Sequence, residues 1–181
     1  MMRHWRNFWT VFIFSLTAVQ SSSGLTLSAS PLSGKTHPSF DYSEKPLSLA
    51  QVINAQFTNS SFLLNNWYQV SFKNVTWKDT NLAGTRSTKV EFENVDFRHS
   101  DLSGFKCNHC SLKNVTFENV KMDGAHFLGA VFINTHFVKS DLRRVDFVAS
   151  SFQNCTVDSE TAKHLSLEKL QKWKLQVKET P

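Results

Sequence analysis

The sequence predicts an all-β solenoid, a four-sided coil with five residues to a side and twenty to a turn. Three observations predict it. An apolar or small side chain recurs at every fifth position from Val52 to Val157, through Phe57, Phe62, Trp67, Phe72 and Trp77 to Phe147 and Phe152. Asn54, Asn74, Asn94, Asn114, Asn134 and Asn154 each stand two residues after a core position and twenty residues apart. Gly84, Gly104 and Gly124 form a second column with the same spacing. A period of five fits no straight element: on a helix five steps of about 100° turn a side chain by roughly 140°, and on a strand an odd step sends it to the opposite face. The chain must therefore turn a corner every five residues, and the columns spaced by twenty say that four corners close one turn. Repetition of this kind marks a solenoid whose units contact only their neighbours.

The first element is not part of the coil. A basic start at Arg3 and Arg6 precedes an apolar run from Phe8 to Val19, followed by Gln20, three serines and Gly24. That run is too short to span a bilayer, and its layout is that of a secretory leader. Residues 1–22 are therefore expected to be a signal peptide, leaving no stable membrane span after cleavage. Its removal lowers the net charge from +5 to about +3. Residues 23–50, with Pro31, Gly34, Pro38 and Pro46 among many serines, read as a flexible linker.

The coil itself is expected over 51–157. Two positions of every five point inward: the large core residue, and the residue two before it, which is small or β-branched (Val70, Val75, Val90, Val95, Val115, Val120, Ala125, Ala130). The remaining three carry Lys73, Lys78, Glu91, Asp96, Arg98, Asp101 and similar polar groups. Asn and Gly at the corners tolerate the left-handed backbone that such turns require. Ser87 is a weak rung, where a bulge or looser packing is expected. Residues 158–181 read as a C-terminal helical cap: Asp158 or Ser159 can cap its start, Ser166 divides it, and Leu167, Leu170, Trp173 and Val177 lie along one face.

Segments such as Asp101-Leu102-Ser103-Gly104-Phe105, Ala125-His126-Phe127-Leu128-Gly129 and Ser140-Asp141-Leu142-Arg143-Arg144 resemble the pentapeptide-repeat family, whose repeat is written A(D/N)LxX. The resemblance runs over 52–157 and implies a right-handed quadrilateral β-helix. It also implies that the C-terminal helix can serve as a homodimer contact. The family's DNA-mimicking rods are strongly acidic, whereas this chain is basic. Phe72-Lys73-Asn74-Val75-Thr76, with its aromatic rung and Asn-x-Thr corner, is similar in style to the lumenal pentapeptide-repeat loop of synaptic-vesicle transporter-like glycoproteins.

Cys107 sits at a core position, and Cys110 and Cys155 at small inward ones. Three readings stay open: inert core thiols, a Cys107–Cys110 disulfide across one corner, or half of a zinc site in Cys107-Asn108-His109-Cys110. Four sequons place Asn59, Asn74, Asn114 and Asn154 at outward corners, where they are glycosylation candidates in a eukaryotic secretory pathway.

A rod with a filled interior offers no cleft for catalysis, and His99, His109, His126, His136 and His164 scatter over different turns with no acid pair or nucleophile motif. No enzyme activity, cofactor or metal is expected. Acids and bases interleave, no basic stripe with aromatics emerges, and nucleic acid is not an expected partner. What remains is a protein-interaction or structural rod, secreted or lumenal, whose protein partner the sequence does not name. Its candidate surface is Leu128, Val131, Ile133, Val138 and Val148, outward positions late in the coil that are unusually apolar. The alternative is an exported bacterial scaffold or effector, periplasmic or host-delivered.

Overall fold

Parallel pairing at an offset of twenty is what the spacing demands, and the computed structural model of the chain contains it, describing residues 18–20 and 26–179. Strands Ala50–Thr58, Ser71–Lys78, Glu91–Arg98 and Ser111–Glu118 lie parallel and in register, so that Phe72 neighbours Phe92 and Trp77 neighbours Phe97. Each strand bends at its Asn corner and serves two sides. The first side is centred on Val52, Phe72, Phe92, Leu112, Phe132 and Phe152, and the second on Phe57, Trp77, Phe97, Phe117, Phe137 and Val157. The fourth side is a separate parallel sheet of Pro46–Ser48, Asn66–Tyr68, Arg86–Thr88, Lys106–Asn108 and His126–Leu128. The third, centred on Phe62, Leu82, Leu102, Met122 and Leu142, carries isolated bridges from Asp41 through Ser61, Asn81 and Asp101 to Lys121. The result is the right-handed quadrilateral β-helix, an all-β solenoid of about 8 turns. At a sheet spacing of about 4.8 Å the rod is about 34 Å long.

The corners explain the sequence columns. From Gly34 to Asn154 every fifth residue has a positive φ, with Arg144 the exception. Asn54, Asn74, Asn94, Asn114 and Asn134 also stack their amides: each Nδ2 donates to the Oδ1 one turn below at 2.9–3.0 Å. Where the long strands end, at the corner into the third side, hydroxyls take over the ladder's work. The Oγ1 of Thr80 donates to the Phe57 carbonyl and Ser100 Oγ to the Trp77 carbonyl, while Ser100 Oγ accepts the Thr80 amide. On the third side Asn81, Asp101 and Asp141 each accept the amide two residues on, which is the work of the acidic or amide residue in the repeat.

Inside, aromatic rings stack layer on layer. Trp77, Phe97, Phe117 and Phe137 follow one another at 4.9–5.2 Å, within 8° of parallel. Such pairs add about 0.5–1.5 kcal/mol beyond area burial. The bulge expected at Ser87 is absent: Arg86–Thr88 pairs in register above and below. Its missing volume is filled from other positions. Phe105, at an inward position that elsewhere holds a small side chain, meets Trp67 across that layer at 6.3 Å.

Two boundaries differ from the sequence reading, and a third lies outside what the structure describes. The secretory leader lies outside the described residues except for Ala18–Gln20, which pairs antiparallel with Thr26–Ala29. The flexible linker is corrected, because the described residues from 26 to 50 are coil. Thr36–Pro38 pairs with Ala50–Thr58, Pro46–Ser48 begins the fourth-side sheet, Leu32 and Leu47 are buried, and His37 stacks on Phe57 at 4.9 Å. The same five-residue step continues backward through Leu47, Tyr42, His37 and Leu32, masked in sequence by prolines and serines. The C-terminal cap is two short helices, α1 (Ser159–Ala162) and α2 (Leu167–Lys172), followed by a strand, Gln176–Lys178, that pairs with Thr156–Asp158 as the last layer. Asp158 and Ser166 cap the two helices. The single apolar face is corrected with them: Trp173 plugs the tube against Phe147 at 4.8 Å, whereas Leu167 and Val177 are exposed.

Candidate functional site

Among the described residues the inward positions hold packed side chains, and the exposed aliphatic residues and the groove beside them lie on the outer surface. Core side chains are packed from Leu32 to Leu175. His99 and His109 occupy different corners, His126 and His136 different sides, and His164 follows α1. Cys107 and Cys110 form a disulfide directed into the tube, which removes both thiols from metal binding. Cys155 is free and buried, and that burial raises its thiol pKa.

Five outward aliphatic residues were candidates, and the fold brings three of them together. Leu128 and Val148 stand in adjacent layers of the fourth side, joined by the Gly129 amide donating to the Val148 carbonyl at 2.8 Å. Val131 lies just past the corner. At that corner Gly129 (φ 60°) has no side chain, and a Cβ there would meet the His109 ring at 2.8 Å. Leu128, Val131 and Val148 are 43%, 41% and 50% exposed. Ile133 sits further along the first side and Val138 beyond the next corner, both half-buried. Beside Leu128 and Val148 opens a groove of about 340 Å³, lined also by Lys106, Asn108, His126 and Phe127.

On the fourth side the charge pattern departs from the expected interleaving at Arg86, Lys89 and Lys106. Elsewhere opposite charges meet: Lys73 with Glu93 at 3.0 Å, Arg98 with Asp96 at 3.1 Å, Arg144 with Asp123 at 2.9 Å. On the fourth side Arg86 and Lys106 are direct in-register neighbours, and Lys89 follows at the corner. None of the three has a carboxylate partner among the described residues. The acid of this side, Asp146, faces His126 at 3.4 Å. The sequence carried the signal in the twenty-residue spacing of Arg86, Lys106 and His126, which shows only when each side is read by itself.

The four sequon asparagines are exposed and left-handed, with φ of 49–54°. Asn74, Asn114 and Asn154 share the edge between the first and second sides, and Asn59 lies on the next edge. None borders the fourth side.

Two family models match the sequence: "Pentapeptide repeat region" over residues 47–127 and "Pentapeptide repeats (8 copies)" over residues 110–148. Together they span more than half of the sequence. The chain belongs to the pentapeptide-repeat family. Solved pentapeptide-repeat structures similar to it include full-length QnrB1, a plasmid-mediated fluoroquinolone resistance protein, at 13% identity, covering 80% of this chain and 92% of that one with a TM-score of 0.34. A pentapeptide repeat protein of the Arabidopsis thaliana thylakoid lumen is 15% identical, with 78% of each chain covered and a TM-score of 0.32. Rfr23 of the cyanobacterium Cyanothece 51142 is 13% identical, covering 68% and 85% with a TM-score of 0.30. No curated protein matches the chain. In this pentapeptide-repeat rod the corner at Gly129, its three aliphatic neighbours and the adjoining groove are the candidate site.

Proposed function

We propose that this pentapeptide-repeat chain is a secreted or lumenal, non-enzymatic rod that works by binding another protein. The observation that carries the reading is the trio Leu128, Val131 and Val148, gathered round one corner of a coil whose inward positions are already filled. An outward position needs no apolar side chain for folding, so exposed aliphatic residues grouped at one corner offer apolar surface that a partner can cover. The disulfide supports an oxidising compartment.

The sequons fit the same reading. A glycan on Asn74 leaves the amide ladder whole: Nδ2 donates to Asn54 below while Oδ1 accepts from Asn94 above, so the bonded hydrogen lies anti to the carbonyl. A substituted amide keeps that hydrogen in its preferred trans form. Sugars would project from the two edges away from the fourth side and leave it open.

The test is Leu128→Asp with Val148→Asp in protein secreted from eukaryotic cells. Folding, read by circular dichroism, is expected to persist, and crosslinking to a partner to be lost. Unchanged crosslinking overturns the surface, and a mass unaltered by glycosidase overturns the glycoprotein part.

A further inference from the structure

We infer that the fourth side takes an extended acidic peptide, its carboxylates on Arg86 and Lys106 and an aliphatic or aromatic side chain in the groove beside Leu128 and Val148. This rests on reading the coil as an interaction rod. Like charges placed directly opposite each other in a sheet are destabilising, and the other sides avoid or neutralise them. Lys73 reaches Glu93, and Arg98, next in register to Lys78, sits beside both Asp96 and Glu118. Arg86 and Lys106 face each other one layer apart with no such relief among the described residues. A local choice that costs the fold, on the same side as an exposed apolar groove, points to use.

Charge and groove are continuous, because Lys106 belongs to both. An extended peptide presents side chains to one face about every 6.6–6.8 Å. That interval lies between one and two layer spacings, so the flexible Arg86 and Lys106 side chains can follow successive acidic residues while the next inward residue enters the groove. A sulfated polysaccharide or a nucleic acid would use the cations but leave the groove empty. Among the described residues this side also lacks a stacking row: Tyr68 is its exposed aromatic.

The experiment displays a library of random linear peptides to the full chain. It then measures enriched peptides against wild type, Arg86→Glu with Lys106→Glu, and Leu128→Asp with Val148→Asp, using heparin and single-stranded oligonucleotide as competitors. The expected result is enrichment of Asp- and Glu-rich peptides with one apolar residue. Their affinity should fall about tenfold on charge reversal, as losing two favourable exposed ion pairs predicts, and should weaken with salt. Neutral or basic winners, or indifference to charge reversal, overturn the inference; if the aspartate pair still abolishes those winners, the interaction rod stands without acidic specificity. Heparin or oligonucleotide binding with the same dependence, and no enriched peptide, replaces the peptide by another polyanion and overturns it. No binding of any probe sinks both readings.

Discussion

At the scale of single residues, the solenoid tolerates a defect in one column by correcting it in another. Ser87 occupies a rung where neighbours hold Trp67 and Cys107, and the volume it lacks is supplied by Trp67 from below and Phe105 from above. Phe105→Ala should therefore open a cavity and cost about 3–5 kcal/mol, measured by urea denaturation. Ser87→Ala should be neutral or stabilising by up to about 1 kcal/mol, since the buried Oγ finds no partner among the described residues. Ser87→Leu should cost about 1–3 kcal/mol by overpacking. A stabilising leucine would mean that the space was never filled. The five-residue pattern made Ser87 conspicuous but not its cure, because the compensating ring stands in the other inward column. The three-aliphatic corner was partly legible: Leu128 and Val148 share a side by spacing, but nothing in sequence separates Val131 from Ile133 and Val138.

Among the elements, the Asn column combines two demands that single substitutions can separate. Glycine at position 94 keeps the left-handed corner but loses the amide bonds to Asn74 and Asn114; aspartate loses the donor and sets an oxygen against the Asn74 Oδ1. Asn94→Gly should cost about 1 kcal/mol and Asn94→Asp somewhat more, read as urea midpoints. Equal stability for all three would dismiss the ladder as decoration. The last strand, Gln176–Lys178, is expected to respond to pH through His136, whose pKa is held below its ordinary 6.5 by burial first and by Lys178 second. A base with a lowered folded pKa adds stability that is present above pH 6.5 and is lost as pH falls through the lowered value. Hydrogen exchange at 176–178 should accelerate on acidification, and His136→Gln should flatten that response. This strand was hidden in the sequence by helix-forming residues before it, and the first layers by prolines. At both ends tertiary pairing overrode local composition.

For the whole molecule, a rod in which each layer touches only the next is as stable as its ends are covered. Among the described residues the interior layers pair above and below, so the terminal layers carry the open strand edges, and Lys174 and Lys178 guard the C-terminal one. A homodimer formed there would set Lys169, Lys172, Lys174 and Lys178 against their copies. Sedimentation should show a monomer at physiological salt, with association favoured only as salt screens those charges. Trp173 is the residue that closes the tube: it is 6% exposed, meets Phe147 edge-on at 4.8 Å, and lies under the Lys169 ammonium at 5.6 Å. Trp173→Ala should cost about 3–5 kcal/mol locally without disturbing the distant stack of Trp77, Phe97 and Phe117. Hydrogen exchange should then rise in 151–158 and 176–178, fade layer by layer toward 111–118, and leave 71–78 unchanged. Uniform loss of protection along the rod would mean that the layers unfold as one unit and that the nearest-neighbour account of this coil is wrong.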